Sequence, residues 1–119
     1  MENLQKEKEA IKIVLKTLDQ LEFKYEKKQE YLDFMTATYF ENRQLFNETI
    51  KNVYAVNFFM EYNPEVFSET QMFTAYVDSE SMKVISISIA HGNLEIIYDS
   101  NGKAIKTKFI SPSFPYEKQ

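Results

Sequence analysis

Residues 83–110, KVISISIAHGNLEIIYDSNGKAIKTKFI, decide the fold of this chain. The stretch holds three runs rich in β-branched residues, and short polar turn sequences separate them. Within residues 85–89, isoleucine alternates with serine, which is typical of a strand with one face on a core. Asn101-Gly102 supplies the positive-φ residues that a tight hairpin requires. The sequence therefore predicts an antiparallel meander with one face on a core and the other facing water or a partner.

Two further segments upstream extend this pattern. Residues 72–78 form another strand-like run, and Asp78 begins the turn that follows it. Residues 52–62 alternate with period two and are rich in β-formers, so we predict a strand, although a buried helix would suit the same residues. Asn63-Pro64-Glu65 combines a helix cap, a proline at the first helical position and an early acid, which predicts a short helix to about Ser68.

An amphipathic stripe dominates the N-terminal part, where residues 1–63 contain neither glycine nor proline. Apolar residues recur at three- and four-residue spacing, namely Leu4, Ile11, Val14, Leu15, Leu18, Leu21 and Tyr25. This spacing predicts a helix. The stripe fails at residues 27–30 and resumes with Leu32, Met35 and Tyr39. We predict two helices, because one helix of about 45 residues would be about 68 Å long.

Composition limits the classes that this chain can join. Its 119 residues suit one domain, which we expect over residues 1–110, with residues 111–119 as an extended tail. The absence of cysteine excludes disulfides, thiolate nucleophiles and cysteine-based zinc sites. The charged start lacks the apolar stretch of a signal peptide, and no apolar run approaches the ~18 residues of a membrane span. We expect a cytoplasmic protein with no membrane partner.

Charge is distributed unevenly along the chain, whose net charge is −4. Residues 52–102 carry seven acidic residues and one basic residue, whereas residues 103–119 carry four lysines and one acid. An acidic middle disfavours direct nucleic-acid binding, which depends on phosphate neutralisation. It predicts either a solvated surface or an interface for a basic partner. The candidate partner-binding residues are Glu61, Glu65, Glu69, Asp78 and Glu80.

Catalytic and metal-binding patterns are sparse. His91, the single histidine, lies in a turn and has no nucleophile at a recognisable spacing. A calcium loop that began at Asp99 would need a glycine at position six and a glutamate at position twelve. The glycine instead comes fourth, and Ile110 occupies position twelve. We therefore predict no metal and no cofactor, and an enzymatic role is the less favoured alternative.

Aromatic residues are the stronger indication of a functional surface. Fourteen of the eighteen Phe and Tyr lie between Phe23 and Tyr76. A core accounts for most of them, but the density also favours an aromatic pocket or an aromatic interface. The candidate pocket residues are Tyr39, Phe46, Tyr54, Phe58, Tyr62 and Phe73.

The order of these elements resembles the nuclear-transport-factor-2-like and cystatin-like α+β rolls. The likeness extends from about Glu9 to Ile110 and is carried by the helical stripe, the strand at residues 52–62, Asn63-Pro64-Glu65 and the meander at 72–110. It implies a curved sheet wrapped around a long N-terminal helix, a cone-shaped pocket between them and dimerisation through the open sheet face. The chain has no matching Asp–His pair and no cystatin-type Gln-x-Val-x-Gly loop, so no functional residue carries over.

These observations lead to an expected fold class, one expected function and two alternative functions. The fold class is α+β, with N-terminal helices packed on one face of a curved antiparallel meander of four to five strands. We expect a small non-enzymatic interaction module that binds a protein partner or itself, as a homodimer, through the sheet face or the acidic middle. This class of module would include inhibitors that act by acidic mimicry, in which carboxylates take the place of nucleic-acid phosphates. The alternatives are a small-molecule-binding roll with an aromatic pocket, either enzymatic or purely a binder, and a structural subunit of a larger assembly.

Overall fold

The structure, a computed structural model, describes residues 2–27, 29–33, 35–45, 50–60, 72–89 and 92–110. The described chain is an α+β fold in which one long N-terminal helix packs against a six-strand antiparallel meander. The fold class is as predicted, and the sheet has six strands instead of four to five. Its elements are α1 Glu2–Gln20, α2 Gln29–Asp33, β1 Thr36–Gln44, β2 Ile50–Phe59, β3 Met72–Asp78, β4 Val84–Ile89, β5 Gly92–Tyr98 and β6 Ala104–Ile110.

Helix α1 forms where the apolar stripe predicts it. Ala10, Val14 and Leu18 recur every four residues, and all three are fully buried against the sheet. The intervening positions 8, 9, 12 and 16 are exposed and charged. Burial of this one face against the sheet therefore stabilises the helix, because most helical stability in proteins comes from the packing of an amphipathic face.

The C-terminus of α1 is closed without glycine or proline. Glu22 takes the left-handed conformation, with a φ of 58°. Its N–H donates to the Asp19 carbonyl at 3.1 Å, and the Phe23 N–H donates to the Leu18 carbonyl at 2.9 Å. This is the Schellman arrangement, which satisfies the last carbonyls of a helix. Tyr25 lies beyond the helix and forms an isolated bridge with Met60 instead of extending the stripe.

The predicted second helix is wrong over most of its length. Helix α2 has only five residues, and Thr36–Gln44 is the edge strand β1. The spacing of Leu32, Met35 and Tyr39 suits a helix, but Tyr39 pairs with Tyr54 across the sheet. Pairing with a strand distant in sequence overrides the local period, and the threonines and aromatics of β1 favour an extended chain.

The core lies between α1 and one face of the sheet. On this helix face, Ala37, Val56, Ala75 and Ile87 stand side by side in register on four consecutive strands. All four are buried in one cluster with α1. The two alanines leave room for the helix to approach closely, and the larger side chains fill the space beside it.

Strand β4 forms where the alternation of residues 85–89 predicts a strand, but it contains an irregularity. Val77 pairs with Val84 while Tyr76 pairs with Ser86, so Ile85 is an extra residue in the ladder. Ile87 and Ile89 lie in or against the core as the alternation predicts, but Val84 takes the place expected for Ile85.

The predicted hairpin at residues 99–102 is confirmed. Gly102 has a φ of 81°, and the Asp99 N–H donates to the Lys103 carbonyl at 2.9 Å. The Asp99 carboxylate accepts hydrogen bonds from the N–H groups of Asn101 and Lys103. The short helix predicted after Asn63, the turn residue His91 and the tail 111–119 lie outside the described residues.

Candidate interaction surface

The sheet face opposite α1, called the open face below, is the candidate functional site. Side chains on successive strand residues point to opposite faces. Because Val56 and Ala75 face α1, their neighbours Ala55 and Tyr76 belong to the open face. Both α1 and α2 contribute to the core cluster on the other side, so neither covers the open face.

An aromatic and arginine cluster occupies the β1 side of the open face. The Arg43 guanidinium carbon lies 5.0 Å from the centroid of the Phe40 ring and 5.7 Å from that of Tyr76. Its Nη2 donates to the Tyr76 hydroxyl at 3.4 Å. These are cation–π distances. We call Phe40, Arg43 and Tyr76 the arginine cluster.

A register shift in β1 makes this cluster possible. Residues 40 and 43 would lie on opposite faces of a regular strand, because side chains alternate. Phe40 pairs with Val53 and Arg43 pairs with Lys51, two residues away, so both lie on the open face. Asn42 adopts a positive φ of 53° at the shift, and its N–H donates to the Asn52 side-chain oxygen at 2.9 Å.

Small buried residues form the base of the open face. Ala55 and Ser86 flank Tyr76 in register, and Val53 lies beside Phe40. All three small residues are buried, while Tyr76 is half-buried. The larger side chains therefore stand above a closely packed floor, which fixes their positions.

A polar row crosses the open face farther along the strands. Thr36, Asn57 and Thr74 stand opposite one another on β1, β2 and β3. The Thr74 hydroxyl donates to the Asn57 side-chain oxygen at 2.7 Å, and the Asn57 Nδ2 donates to the Thr36 hydroxyl at 3.4 Å. The open face thus combines an aromatic region with an ordered polar row.

The candidate acidic residues are only partly brought together. Asp78 and Glu80 lie in one turn, where the Asp78 carboxylate accepts the Glu80 N–H at 2.9 Å and pairs with Lys51 Nζ at 3.1 Å. Burial raises the pKa of Asp78, but these hydrogen bonds and the lysine charge outweigh it, so the pKa lies below its ordinary value. A surface cavity of about 260 Å³ adjoins this turn. Glu61, Glu65 and Glu69 lie outside the described residues.

The candidate aromatic residues form two pairs on the helix face. The Tyr39 and Tyr54 ring centroids are 5.2 Å apart, and Phe58 meets Phe73 edge to face at 6.1 Å. Burial is the main cause that raises the pKa of Tyr54. Tyr54 and Phe58 are almost fully buried, so they contribute to the core. Whether these pairs line a ligand pocket stays a prediction. The remaining candidates, Phe46 and Tyr62, lie outside the described residues.

A second surface cavity lies between the C-terminal half of α1 and two hairpin turns. Its volume is about 200 Å³, and Lys16, Thr17, Lys83 and Tyr98 contribute to its lining. The Tyr98 hydroxyl donates to the Val84 carbonyl at 2.6 Å, and Lys83 Nζ lies 5.3 Å from the Tyr98 ring centroid. Burial raises the pKa of Tyr98 against the opposing effect of its hydrogen bonds. This cavity is basic and partly enclosed.

Sequence reasoning missed the arginine cluster, because it assigned the stripe of Leu32, Met35 and Tyr39 to a second helix. The available signal was the composition of residues 36–40, Thr-Ala-Thr-Tyr-Phe, in which four of five residues are strong β-formers. That composition indicates a strand, but the register shift that places Arg43 beside Phe40 leaves no comparable signal.

Metal chemistry has no visible support in the described part of the chain, where no three His, Cys, Asp or Glu residues converge on a common point.

None of the described helices is long and apolar enough to cross a membrane.

Comparison of this chain with protein-family models, curated proteins and solved structures finds no match.

Proposed function

We propose that this chain is a protein-binding module whose open face binds another protein. The arginine cluster is the observation that carries this proposal. Tyrosine and arginine are enriched among the few residues that dominate binding energy at protein interfaces. Here both types stand on a sheet face that neither α1 nor α2 covers.

The size of the open face suits this role. Six strands about 4.8 Å apart, each with about seven residues at 3.3 Å, give a surface of roughly 29 by 23 Å, or about 650 Å². A specific interface of standard size uses about 800 Å² on each partner. The open face could therefore supply most of one side of such an interface.

The order of the open face also favours binding. The Thr36–Asn57–Thr74 hydrogen bonds and the stacked Arg43 hold their side chains before any partner arrives. Side chains that are already ordered lose less conformational entropy on association. A preformed surface of this kind gives affinity without a large rearrangement.

The acidic residues give less support to a contact through the acidic middle. Asp78 already pairs with Lys51, and Glu95 stands opposite Lys108 on the open face. Arg43 and Lys106 add positive charge to the same face. The open face is therefore more basic than the sequence average suggests, and acidic mimicry is the less favoured form of the proposal.

A matched pair of variants tests the proposal. Arg43→Ala removes the centre of the arginine cluster, and Lys12→Ala removes an exposed cation from α1. Wild type and both variants would serve as bait in a cell extract, and each recovered protein would be purified for calorimetric titration. We expect a partner that binds wild type and Lys12→Ala alike but binds Arg43→Ala roughly 30-fold more weakly, the size of a hot-spot loss.

Other outcomes would count against the proposal. A partner with equal affinity for all three proteins, or one lost only with Lys12→Ala, would place the interface elsewhere. Light scattering of the purified chain tests self-association, and a dimer that Arg43→Ala dissociates would make the partner a second copy.

The α+β roll with a small-molecule ligand is the second candidate function. The cavity of about 200 Å³ beside Thr17 and Tyr98 favours it, since it lies between helix and sheet turns, near where the resemblance to such rolls implies a pocket. Its volume is below the roughly 300 Å³ typical of ligand pockets. Native mass spectrometry after mild purification tests it: a retained small molecule supports the roll, and a bare chain counts against it.

A further inference from the structure

We infer that strand β6 is a β-addition site for an extended segment of another protein in which acidic and apolar residues alternate. This inference depends on the proposed function only because it assumes that the chain binds proteins. It concerns the edge of the sheet, whereas the proposed function concerns the open face. In β-addition, main-chain hydrogen bonds supply affinity and alternate side chains supply specificity.

Strand β6 is an exposed edge. It ends the strand order and pairs only with β5 among the described residues. Ile105 and Phe109 are 49% and 53% exposed, and both lysines of the strand are exposed as well. A long edge strand with exposed apolar residues is a template for pairing with another chain.

Beyond a register shift at Ile105, the pairing assigns residues 106–110 of β6 to alternate faces. Thr107 pairs with Ile96 and Phe109 pairs with Leu94, both of which lie in or against the core, so this set belongs to the helix face. The neighbours of Thr107, Lys106 and Lys108, therefore lie on the open face. An added strand would meet lysines on one face and apolar groups on the other.

The basic charge of the edge selects an acidic segment. Neither Lys106 nor Lys108 has a carboxylate within 4.0 Å in the described part of the chain. Lys108 stands opposite Glu95, but Lys106 stands opposite Ile97. Opposite charges directly across two strands stabilise pairing, and like charges weaken it. The incoming segment should place carboxylates opposite both lysines.

The same rule disfavours a second copy of this chain. An antiparallel pair of β6 strands centred on Lys106, Thr107 or Lys108 places lysine opposite lysine. A partner strand of different sequence avoids this repulsion.

A close backbone contact fixes the apolar side of the edge. A Cβ added to Gly92 would lie 2.9 Å from two atoms of the Phe109 ring, so the ring rests directly against this glycine. Phe109 is therefore held at the edge as an apolar contact for the incoming strand. Both edge strands contain a register shift, between Phe40 and Arg43 in β1 and at Ile105 in β6, so the two lysines and Phe109, and not the continuity of the ladder, distinguish β6.

Peptide binding to the whole 119-residue chain tests the inference. The probe is a fluorescent eight-residue peptide that alternates glutamate and valine, followed by fluorescence anisotropy. One control peptide replaces every glutamate by lysine, and another has the same composition with its glutamates in one block. We expect the alternating acidic peptide to bind roughly 2- to 30-fold more tightly than either, the range of two favourable cross-strand pairs.

Protein variants test which edge is used. Lys106→Glu with Lys108→Glu should reverse the preference, so that the lysine–valine peptide binds more tightly. Lys8→Glu with Lys12→Glu makes the same charge change on the exposed side of α1 and should leave the preference unchanged. Hydrogen exchange should slow at β6 amides when the acidic peptide binds.

The outcomes separate this inference from the proposed function. Equal binding of the alternating and block peptides, or loss of preference in the α1 variant, would overturn the edge site. A partner that depends on Arg43, found together with equal binding of the alternating and block peptides, would leave the open-face proposal standing and overturn only the edge inference. Self-association that the β6 lysine variant abolishes would identify the occupant as a second copy and would also overturn it.

Discussion

Replacing Glu22 by glycine should stabilise this protein. Glu22 holds a φ of 58° at the end of α1, where an L-residue pays roughly 1–2 kcal/mol for the left-handed conformation. Glycine removes that strain, but it also raises the conformational entropy of the unfolded chain, which lowers the free energy of unfolding by about 0.5–1 kcal/mol. Glu22→Gly should therefore raise the free energy of unfolding by about 0.5–1 kcal/mol. For 119 residues the unfolding entropy implies a rise in Tm of about 2–4 °C.

Glu9→Gly is the matched control, because Glu9 is exposed in the interior of α1. The same exchange there should cost about 1 kcal/mol, since glycine is a poor helix former. Calorimetry and urea unfolding followed by circular dichroism measure both variants. Opposite signs are the expected result. If both variants lose stability to a similar extent, the strain at Glu22 is not the quantity that limits the end of the helix.

Two further predictions concern the turns and the sheet edge. Asp78→Asn should lower the free energy of unfolding by about 0.5–1.5 kcal/mol at pH 7. The pKa of Asp78 in the folded protein lies below its ordinary value of 3.8. The stabilisation from Asp78 is therefore present above about pH 4 and disappears as the pH falls further. If the pairing of Asp78 with Lys51 were unimportant, urea unfolding would give the same stability difference between wild type and Asp78→Asn at pH 7 and at pH 3. Gly92→Ala should cost about 1–3 kcal/mol, since its Cβ would lie 2.5 Å from the Ile110 carbonyl oxygen. Gly102→Ala meets only Lys83 Nζ at 3.8 Å, but its φ of 81° costs an L-residue about 1–2 kcal/mol, so a loss at Gly92 smaller than the loss at Gly102 in thermal unfolding would contradict the contact argument.

The sequence predicts the parts of this fold that local patterns determine. The α1 stripe, the alternation in β4 and the glycine turn before β6 all have local causes, and the structure contains each of them. Strand β1 escaped prediction because its apolar spacing also suits a helix. Its extended form depends on pairing between Tyr39 and Tyr54, and no local pattern contains that pairing.

The candidate site was harder to predict than the fold. Regular alternation would put Phe40 and Arg43 on opposite faces, and only the register shift at Asn42 brings them together. A shift of this kind depends on how two strands meet, including the hydrogen bond from Asn42 to Asn52. The charge of a surface likewise depends on which residues the strands bring together. The acidic middle is acidic in sequence, but its strands lie beside lysines from elsewhere, as Asp78 lies beside Lys51.

The cations on the open face and its edge lead us to propose an acidic partner. An acidic middle predicts a basic partner, yet the described cations on the open face and its edge include Arg43, Lys106 and Lys108. None of these three has a carboxylate within 4.0 Å among the described residues. A partner with carboxylates opposite these cations would gain attraction that internal pairs do not already use. Because Arg43 lies over Phe40 and Tyr76, the same partner would meet apolar surface beside the charge. The surface therefore suits a partner that is both apolar and acidic, and added salt should weaken its binding.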